Sequence, residues 1–144
     1  MKDIISDILS KHVEVYGFVS ISEYLEKRKS LGIKDSFKFL GNLDKYKTII
    51  TLGICYPSEE LNFKGPGYGI LSRYSYNLDY HIVFNRILEN ISKELIRVGV
   101  KNHASVDISD IDERYASYLS NMGFLGKNQF LINKKNKIWL TRKE

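Results

Sequence analysis

The sequence has a single cysteine among 144 residues, and it has no apolar run long enough to cross a membrane. The lone thiol of Cys55 excludes an internal disulfide, and it excludes a zinc site or an iron–sulfur cluster held by cysteines of this chain alone. The three histidines lie far apart in the sequence, so no metal site is predicted from them. The N-terminal segment is charged and amphipathic, unlike a signal peptide. These absences predict a cytoplasmic protein without a membrane-embedded part.

The composition is typical of a globular domain. Apolar residues make up 43% of the chain and charged residues 27%, which predicts one domain over residues 1–144 with a hydrophobic core. The net charge is +5, and much of it lies in the C-terminal segment KNQFLINKKNKIWLTRKE. A basic segment of this kind can contact phosphates, but it can equally be a solvated lysine-rich surface, which is the interpretation we favour.

The spacing of apolar residues predicts an α/β fold. Helices are predicted over 2–12, 22–32, 79–97 and 109–123, and strands over 13–19, 47–56, 103–107, 128–133 and 137–141. Ser22 and Ser109 are the predicted caps of the second and fourth helices. Because helices alternate with strands, we expect a mixed central sheet with helices on both faces, and the nearly all-apolar strand over 47–56 should be buried on both sides.

The fourth helix is predicted to bury the residues Ile111, Tyr115, Tyr118, Leu119 and Met122. The sequence stops directly after the last predicted strand, with no closing helix. We therefore expect a truncated domain, whose exposed sheet edge would favour self-association.

Asp107 is the first candidate for chemistry. It follows the predicted strand over 103–107, and ligands in α/β folds gather where strands end. Its apolar neighbours Val106 and Ile108 would favour a protonated carboxyl that acts as a proton donor. The simpler alternative is an aspartate that caps a loop or a helix, and position alone favours that alternative.

A second candidate is the segment GFLGKNQFLI over 123–132. Gly126 would allow the backbone to approach a ligand closely, and Lys127 and Asn128 could hold phosphate or amide groups. The spacing does not match a phosphate-binding P-loop. A helix C-cap followed by a turn is the competing interpretation.

A third candidate is the segment SRYSYNLDYH over 72–81, which combines an arginine, three tyrosines, two serines, an aspartate and a histidine. A flat organic cofactor could be lined, by stacking and hydrogen bonding, by Arg73, Tyr74, Tyr76 and Tyr80. A lone histidine such as His81 at the start of a helix is more often a capping or hydrogen-bonding residue than a metal ligand. The segment could also be an ordinary amphipathic surface.

In this order, the segments resemble one family. SRYSYNLDYH is similar to the S-R-Y-A-x-G-x-D-Y-H segment of epoxyqueuosine reductases. VDISDIDERYASYLSNMGFLGKNQFLI resembles their V-D-S-x-P-x-x-E-R-x-L-A-x-x-A-G-L-G-W-I-G-K-N-T-x-L-I segment, with no gap between Asp107 and Asn128. Upstream, YKTIITLGICYP resembles the strand that precedes these segments in the family.

The resemblance implies an N-terminal cobalamin-binding module with a fold similar to nitroreductases and to the corresponding part of reductive dehalogenases. The family reduces epoxyqueuosine to queuosine in tRNA, using cobalamin and two [4Fe–4S] clusters. Asp107 matches the proposed proton donor. The residues that would lie near the corrin or the nucleobase are Ser72, Arg73, Tyr74, Asp79, Tyr80 and His81. Gly126, Lys127 and Asn128 would hold the amide side chains of the corrin.

The resemblance stops before the ferredoxin-like domain and the helical repeat domain of the family. The clusters are therefore expected only in a missing or partner domain, and turnover would need an iron–sulfur domain or electron donor in trans. Ile108 and Asp110 stand where the family has serine and proline. These departures leave open a non-catalytic corrinoid- or tRNA-binding module, and also a flavin-binding nitroreductase-like protein.

Overall fold

A computed structural model describes residues 1–32, 43–55, 65–69, 78–107, 110–128, 130–133 and 139–140. The candidate residues Ser72, Arg73, Tyr74 and Tyr76 lie outside this set, as does the predicted cap Ser109. The chain divides into two compact units, one formed by Met1–Ile54 with Asp107–Glu144 and the other by Cys55–Val106. Among the residues described, no helix is both long and apolar enough to span a bilayer.

The first unit contains three helices, a 3₁₀ turn and five strands among its described residues. The helices are α1 (Lys2–Ser10), α2 (Ile21–Ser30) and α4 (Glu113–Leu119), and the 3₁₀ turn is Leu43–Lys45. The strands are β1 (Val15–Ser20), β2 (Thr48–Gly53), β3 (Phe124–Leu125), β4 (Leu131–Ile132) and β5 (Trp139–Leu140). The second unit contains α3 (Tyr80–Arg97), which confirms the helix predicted over 79–97.

The strands form two small antiparallel sheets in the part of the chain that is described, in place of the single mixed sheet predicted. One sheet pairs β1 with β2, and the other has the order β3–β4–β5. The strand pattern of the sequence found β1, β2, β4 and β5, but alternation does not tell which strands pair. In β2 only Thr51 and Gly53 are buried and the other residues are half-buried or exposed, so this strand is not covered on both faces as predicted.

The core of the first unit joins β1, α2 and α4. Its buried members are Val19, Ile21, Tyr24, Leu43, Ile111 and Ala116. Tyr24 is fully buried although it carries a hydroxyl group. A buried tyrosine hydroxyl needs a hydrogen-bond partner. The core therefore contains one polar group whose partner matters for the site.

The C-terminal end of α4 lies against β1 at a glycine. A Cβ atom at Gly17 would lie 2.5 Å from Ser120 Oγ and 2.7 Å from the backbone oxygen of Ser120. The Ser120 hydroxyl also lies 2.7 Å from Thr51 Oγ1, and Thr51 is the β2 partner of Gly17. Only glycine allows this close approach of helix and sheet.

Several predicted boundaries were wrong. Residues 103–107 form no strand, and the predicted strand fails because His103, Ala104 and Ser105 are exposed and pair with no described strand. Helix α2 is capped by Ser20 rather than Ser22, since the Ser20 hydroxyl accepts the backbone N–H of Glu23 at 3.1 Å.

The fourth helix begins later than predicted. It starts at Glu113 and its cap is Asp112. Ile111 and Met122 are buried as predicted, but Tyr118 is 43% exposed. The apolar spacing predicts a helix that begins after Ser109, whereas the observed helix begins about one turn later.

Candidate functional site

Asp107 has an unusual backbone conformation. Its φ angle is +58°, in the left-handed region that only glycine, asparagine and aspartate adopt readily. Its backbone N–H donates a hydrogen bond to Glu113 Oε1 at 3.1 Å. The residue is half-buried. The carboxyl group of Asp107 is therefore carried by a backbone that a specific side chain holds in place.

The start of α4 supplies that side chain. Asp112 Oδ1 accepts the backbone N–H of Tyr115 at 3.0 Å, which caps the helix. Glu113 is the first helical residue, so its carboxylate lies at the positive end of the helix dipole while it accepts from Asp107. Asp112 thus caps the helix, and its neighbour Glu113 makes the contact to Asp107.

Tyr24 contacts the same turn from the core. Its hydroxyl oxygen accepts the backbone N–H of Asp112 at 2.9 Å and the Arg28 Nη1–H at 3.3 Å. Burial is the main reason that the pKa of Tyr24 is raised above its ordinary value, and it outweighs the opposing hydrogen bond from Asp112. The hydroxyl is therefore protonated at neutral pH and stays a neutral acceptor.

The hairpin between β3 and β4 carries Gly126, Lys127 and Asn128. The Gly126 N–H donates to the Phe130 carbonyl at 2.8 Å, and Asn128 Oδ1 accepts the Phe130 N–H at 3.3 Å. A Cβ at Gly126 would lie 2.6 Å from Asn128 Oδ1 and 2.9 Å from Ile132 Cδ1. Gly126 thus makes room for the turn itself, and Lys127 and Asn128 are exposed at its tip.

The second unit holds the other described candidates at the start of α3. Asp79 caps this helix, and its Oδ1 accepts both the backbone N–H of His81 at 2.9 Å and the ring Nδ1 of His81 at 2.7 Å. The backbone hydrogen bond is the main cause, and the ring contact the second, of the lowered pKa of Asp79. The rings of Tyr80 and His81 stack with centroids 4.0 Å apart. The His81 ring is therefore held by the cap of α3 and by the Tyr80 ring, and its role near a cofactor stays a prediction.

The structure brings the predicted residues together in pairs within each unit. Asp107 is joined to Glu113, Gly126 is packed on Asn128, and Asp79 is bonded to His81. Tyr24 was not predicted as part of the site. Among the described residues no group of three or more His, Cys, Asp or Glu side chains is arranged to hold a metal ion. The signal that could have identified Tyr24 is a tyrosine on the buried face of a helix, which must find a partner.

Comparison with known proteins gives a consistent result. The family model described as "Epoxyqueuosine reductase QueG, DUF1730" matches residues 41–108. The epoxyqueuosine reductase of Atelocyanobacterium thalassa is 30% identical over 94 residues, which cover 65% of this chain and 31% of that protein. The epoxyqueuosine reductase of Bacillus cereus is 24% identical over 152 residues, which cover 91% of this chain and 40% of that protein.

A solved structure shows the same fold. The structure of epoxyqueuosine reductase from Streptococcus thermophilus covers 95% of this chain with a TM-score of 0.69 and 21% sequence identity. The matched region is 43% of that chain. This chain thus spans between 31% and 43% of the length of these three relatives.

Proposed function

Because this chain belongs to the epoxyqueuosine reductase family, we propose that it is the cobalamin-binding module of an epoxyqueuosine reductase-like oxidoreductase. Combined with an iron–sulfur domain, it would reduce epoxyqueuosine to queuosine in tRNA. The observation that carries the proposal is Asp107, which lies within the matched region 41–108 and has its left-handed backbone held by Glu113.

Asp107 would act as the proton donor. Reductive removal of an epoxide oxygen consumes two electrons and two protons and releases water, so a positioned acid at the oxygen lowers the barrier. A carboxyl group whose backbone is fixed keeps its distance to the reacting oxygen better than one on a loose loop. Glu113 supports this role because it binds the Asp107 N–H through its own carboxylate.

The chemistry of the hairpin tip fits a corrin. The corrin ring carries amide side chains around its periphery, and these accept and donate hydrogen bonds. Lys127 and Asn128 are exposed and bear N–H donors, and the Asn128 carboxamide oxygen is already used within the turn. These two residues would hold corrin amides. When bound, cobalamin supplies the redox chemistry at cobalt.

Asp79, Tyr80 and His81 of the second unit present a polar and aromatic surface of their own. The stacked rings of Tyr80 and His81 offer an aromatic face, and the Asp79 carboxylate fixes the His81 ring through Nδ1. We propose that this face packs against the corrin or the nucleobase. By contrast, a [4Fe–4S] cluster does not fit this chain, because it has one cysteine and such a cluster takes four. The electrons are therefore assigned to another domain or chain.

A titration of the purified chain with cob(II)alamin, followed by absorbance and EPR, tests the proposal. We expect a base-off spectrum at micromolar protein. Lys127→Ala with Asn128→Ala should weaken binding about tenfold, since two hydrogen bonds of about 0.5–1.5 kcal/mol each are lost. Asp107→Asn is the matched control, because it keeps the shape of the side chain and should bind as the unchanged chain does.

The same variants separate an enzyme module from a non-catalytic one. With an iron–sulfur electron donor and tRNA that contains epoxyqueuosine, the unchanged chain should form queuosine and Asp107→Asn should not. Absence of any spectral shift with cob(II)alamin would contradict the cobalamin proposal. Binding without turnover under every electron donor would instead identify a corrinoid-binding module.

A further inference from the structure

Asp107 and Asp112 are each held through the backbone N–H group. The Asp107 N–H donates to Glu113 Oε1, and the Asp112 N–H donates to the Tyr24 hydroxyl. We propose that Tyr24 is a positioning residue for Asp107, acting through Asp112 and the start of α4. The inference rests on the proposed function only for the role of Asp107 as an acid.

Tyr24 is suited to this role because it is packed in the core. Its side chain is fully buried, and it belongs to the core cluster that also contains Leu43 and Ala116. The ring also lies 6.1 Å from that of Tyr115 on α4. The hydroxyl therefore presents a fixed oxygen to Asp112, the cap of α4.

The contact at Asp112 is transmitted to Asp107 through one side chain. Asp112 caps α4, and the next residue, Glu113, accepts from Asp107. If the Asp112 N–H loses its acceptor, the first turn of α4 loosens and the Glu113 carboxylate no longer has a fixed position. The left-handed conformation of Asp107 would then lose the hydrogen bond that supports it.

Amide hydrogen exchange measured by NMR on the free chain tests this inference. Tyr24→Phe keeps the ring and removes only the oxygen. We expect the amides of Asp107 and Asp112 to exchange about tenfold faster, while amides of the buried residues Leu9 and Leu131 change by less than twofold. The carboxyl ¹³C resonance of Asp107 should shift as well, which general loss of stability would not cause.

Arg28→Gln is the matched control. It removes the other donor to the Tyr24 oxygen and leaves the bond from Asp112, so exchange at Asp107 should be unchanged. Equal acceleration of all four amides in Tyr24→Phe would overturn the inference and leave Tyr24 as a core residue. Acceleration at Asp112 without a change at Asp107 would overturn it too.

A measurement on the unchanged chain keeps the test decisive if Tyr24→Phe does not fold. The amide hydrogens of Asp107 and Asp112 should exchange through one shared local unfolding event, so their exchange rates should depend in the same way on low concentrations of denaturant. Two separate opening events would refute the coupling. Since no cobalamin is present, these results are independent of the cob(II)alamin titration, and failure of the proposed function would leave them unaffected.

Discussion

Replacing Gly17 with alanine should destabilise the first unit, because the new methyl group has no space. The Cβ atom would lie 2.5 Å from Ser120 Oγ and 2.7 Å from both Ser120 Cβ and the Ser120 backbone oxygen. Relaxed contacts between carbon atoms are about 3.5–4.0 Å, so α4 would have to move by about 1 Å. Rotation of the Ser120 side chain would not suffice, since the backbone oxygen is equally close.

The size of the effect follows from three contributions. Overpacking of this kind costs about 1–3 kcal/mol. Moving Ser120 also strains its buried hydrogen bond to Thr51, worth about 1 kcal/mol. Alanine restricts the unfolded chain more than glycine does, which offsets about 0.4–1 kcal/mol. The net loss in the free energy of unfolding should be about 1–3 kcal/mol.

Urea denaturation at neutral pH is the assay, with the transition midpoint and slope compared between variants. Gly69→Ala is the matched control, because no atom of the described residues lies within 4 Å of a Cβ at Gly69 and its φ angle is not positive. That control should change stability by less than about 0.5 kcal/mol. A Gly17→Ala variant as stable as the unchanged chain would refute the close packing of α4 on β1.

Four further predictions concern other parts of the structure. Leu9→Ala should cost about 2–5 kcal/mol because Leu9 is fully buried, whereas Ile4→Ala on the exposed side of the same helix should cost under about 1 kcal/mol; urea denaturation compares them. Ser20→Ala should lower the free energy of unfolding by about 1 kcal/mol by removing the cap of α2, and thermal unfolding would detect it. Burial raises the pKa of Tyr24, so as the pH rises the unfolded chain loses the Tyr24 hydroxyl proton before the folded chain does. The free energy of unfolding should therefore fall as the pH rises above about 10. Denaturation at pH 8.5 and 10.5 should show a smaller fall in this free energy for Tyr24→Phe. Because the pKa of Asp79 is lowered, its ionised carboxylate stabilises the folded chain fully at pH values above the ordinary carboxyl pKa. This stabilisation is lost as the pH falls through the lowered pKa. Circular dichroism from pH 6 to pH 2 should therefore show a smaller change in Asp79→Asn.

The sequence predicted the elements better than their arrangement. Apolar spacing identified α1 and α3 to within a few residues, because helical periodicity is local. The pairing of β1 with β2 joins segments that are separated by α2, and no local pattern encodes it. The strand predicted over 103–107 failed for the same reason, since alternation without a partner does not make a strand.

The sequence indicated which residues belong to the candidate site, but only the structure shows which of them contact one another. The motif resemblance indicated Asp107 and Glu113 but not the hydrogen bond between them, which depends on a left-handed backbone. Tyr24 comes from a helix far earlier in the chain, and a tyrosine among apolar residues looks like ordinary core. His81 was predicted as a residue near the cofactor, and its hydrogen bond to the Asp79 cap leaves that role a prediction.

The packing of Asn128 against Gly126 affects how sequences of this kind should be compared. A side chain at position 126 would collide with the carboxamide oxygen of Asn128, so the two positions constrain each other before any ligand is considered. Related chains should tolerate alanine or serine at position 126 where position 128 has changed and the side chain at position 132 is smaller or turned away, and chains that keep the asparagine should keep the glycine. Joint occurrence of glycine and asparagine in this turn therefore indicates the hairpin geometry, and it is not by itself a sign that Lys127 and the Asn128 N–H groups hold a corrin.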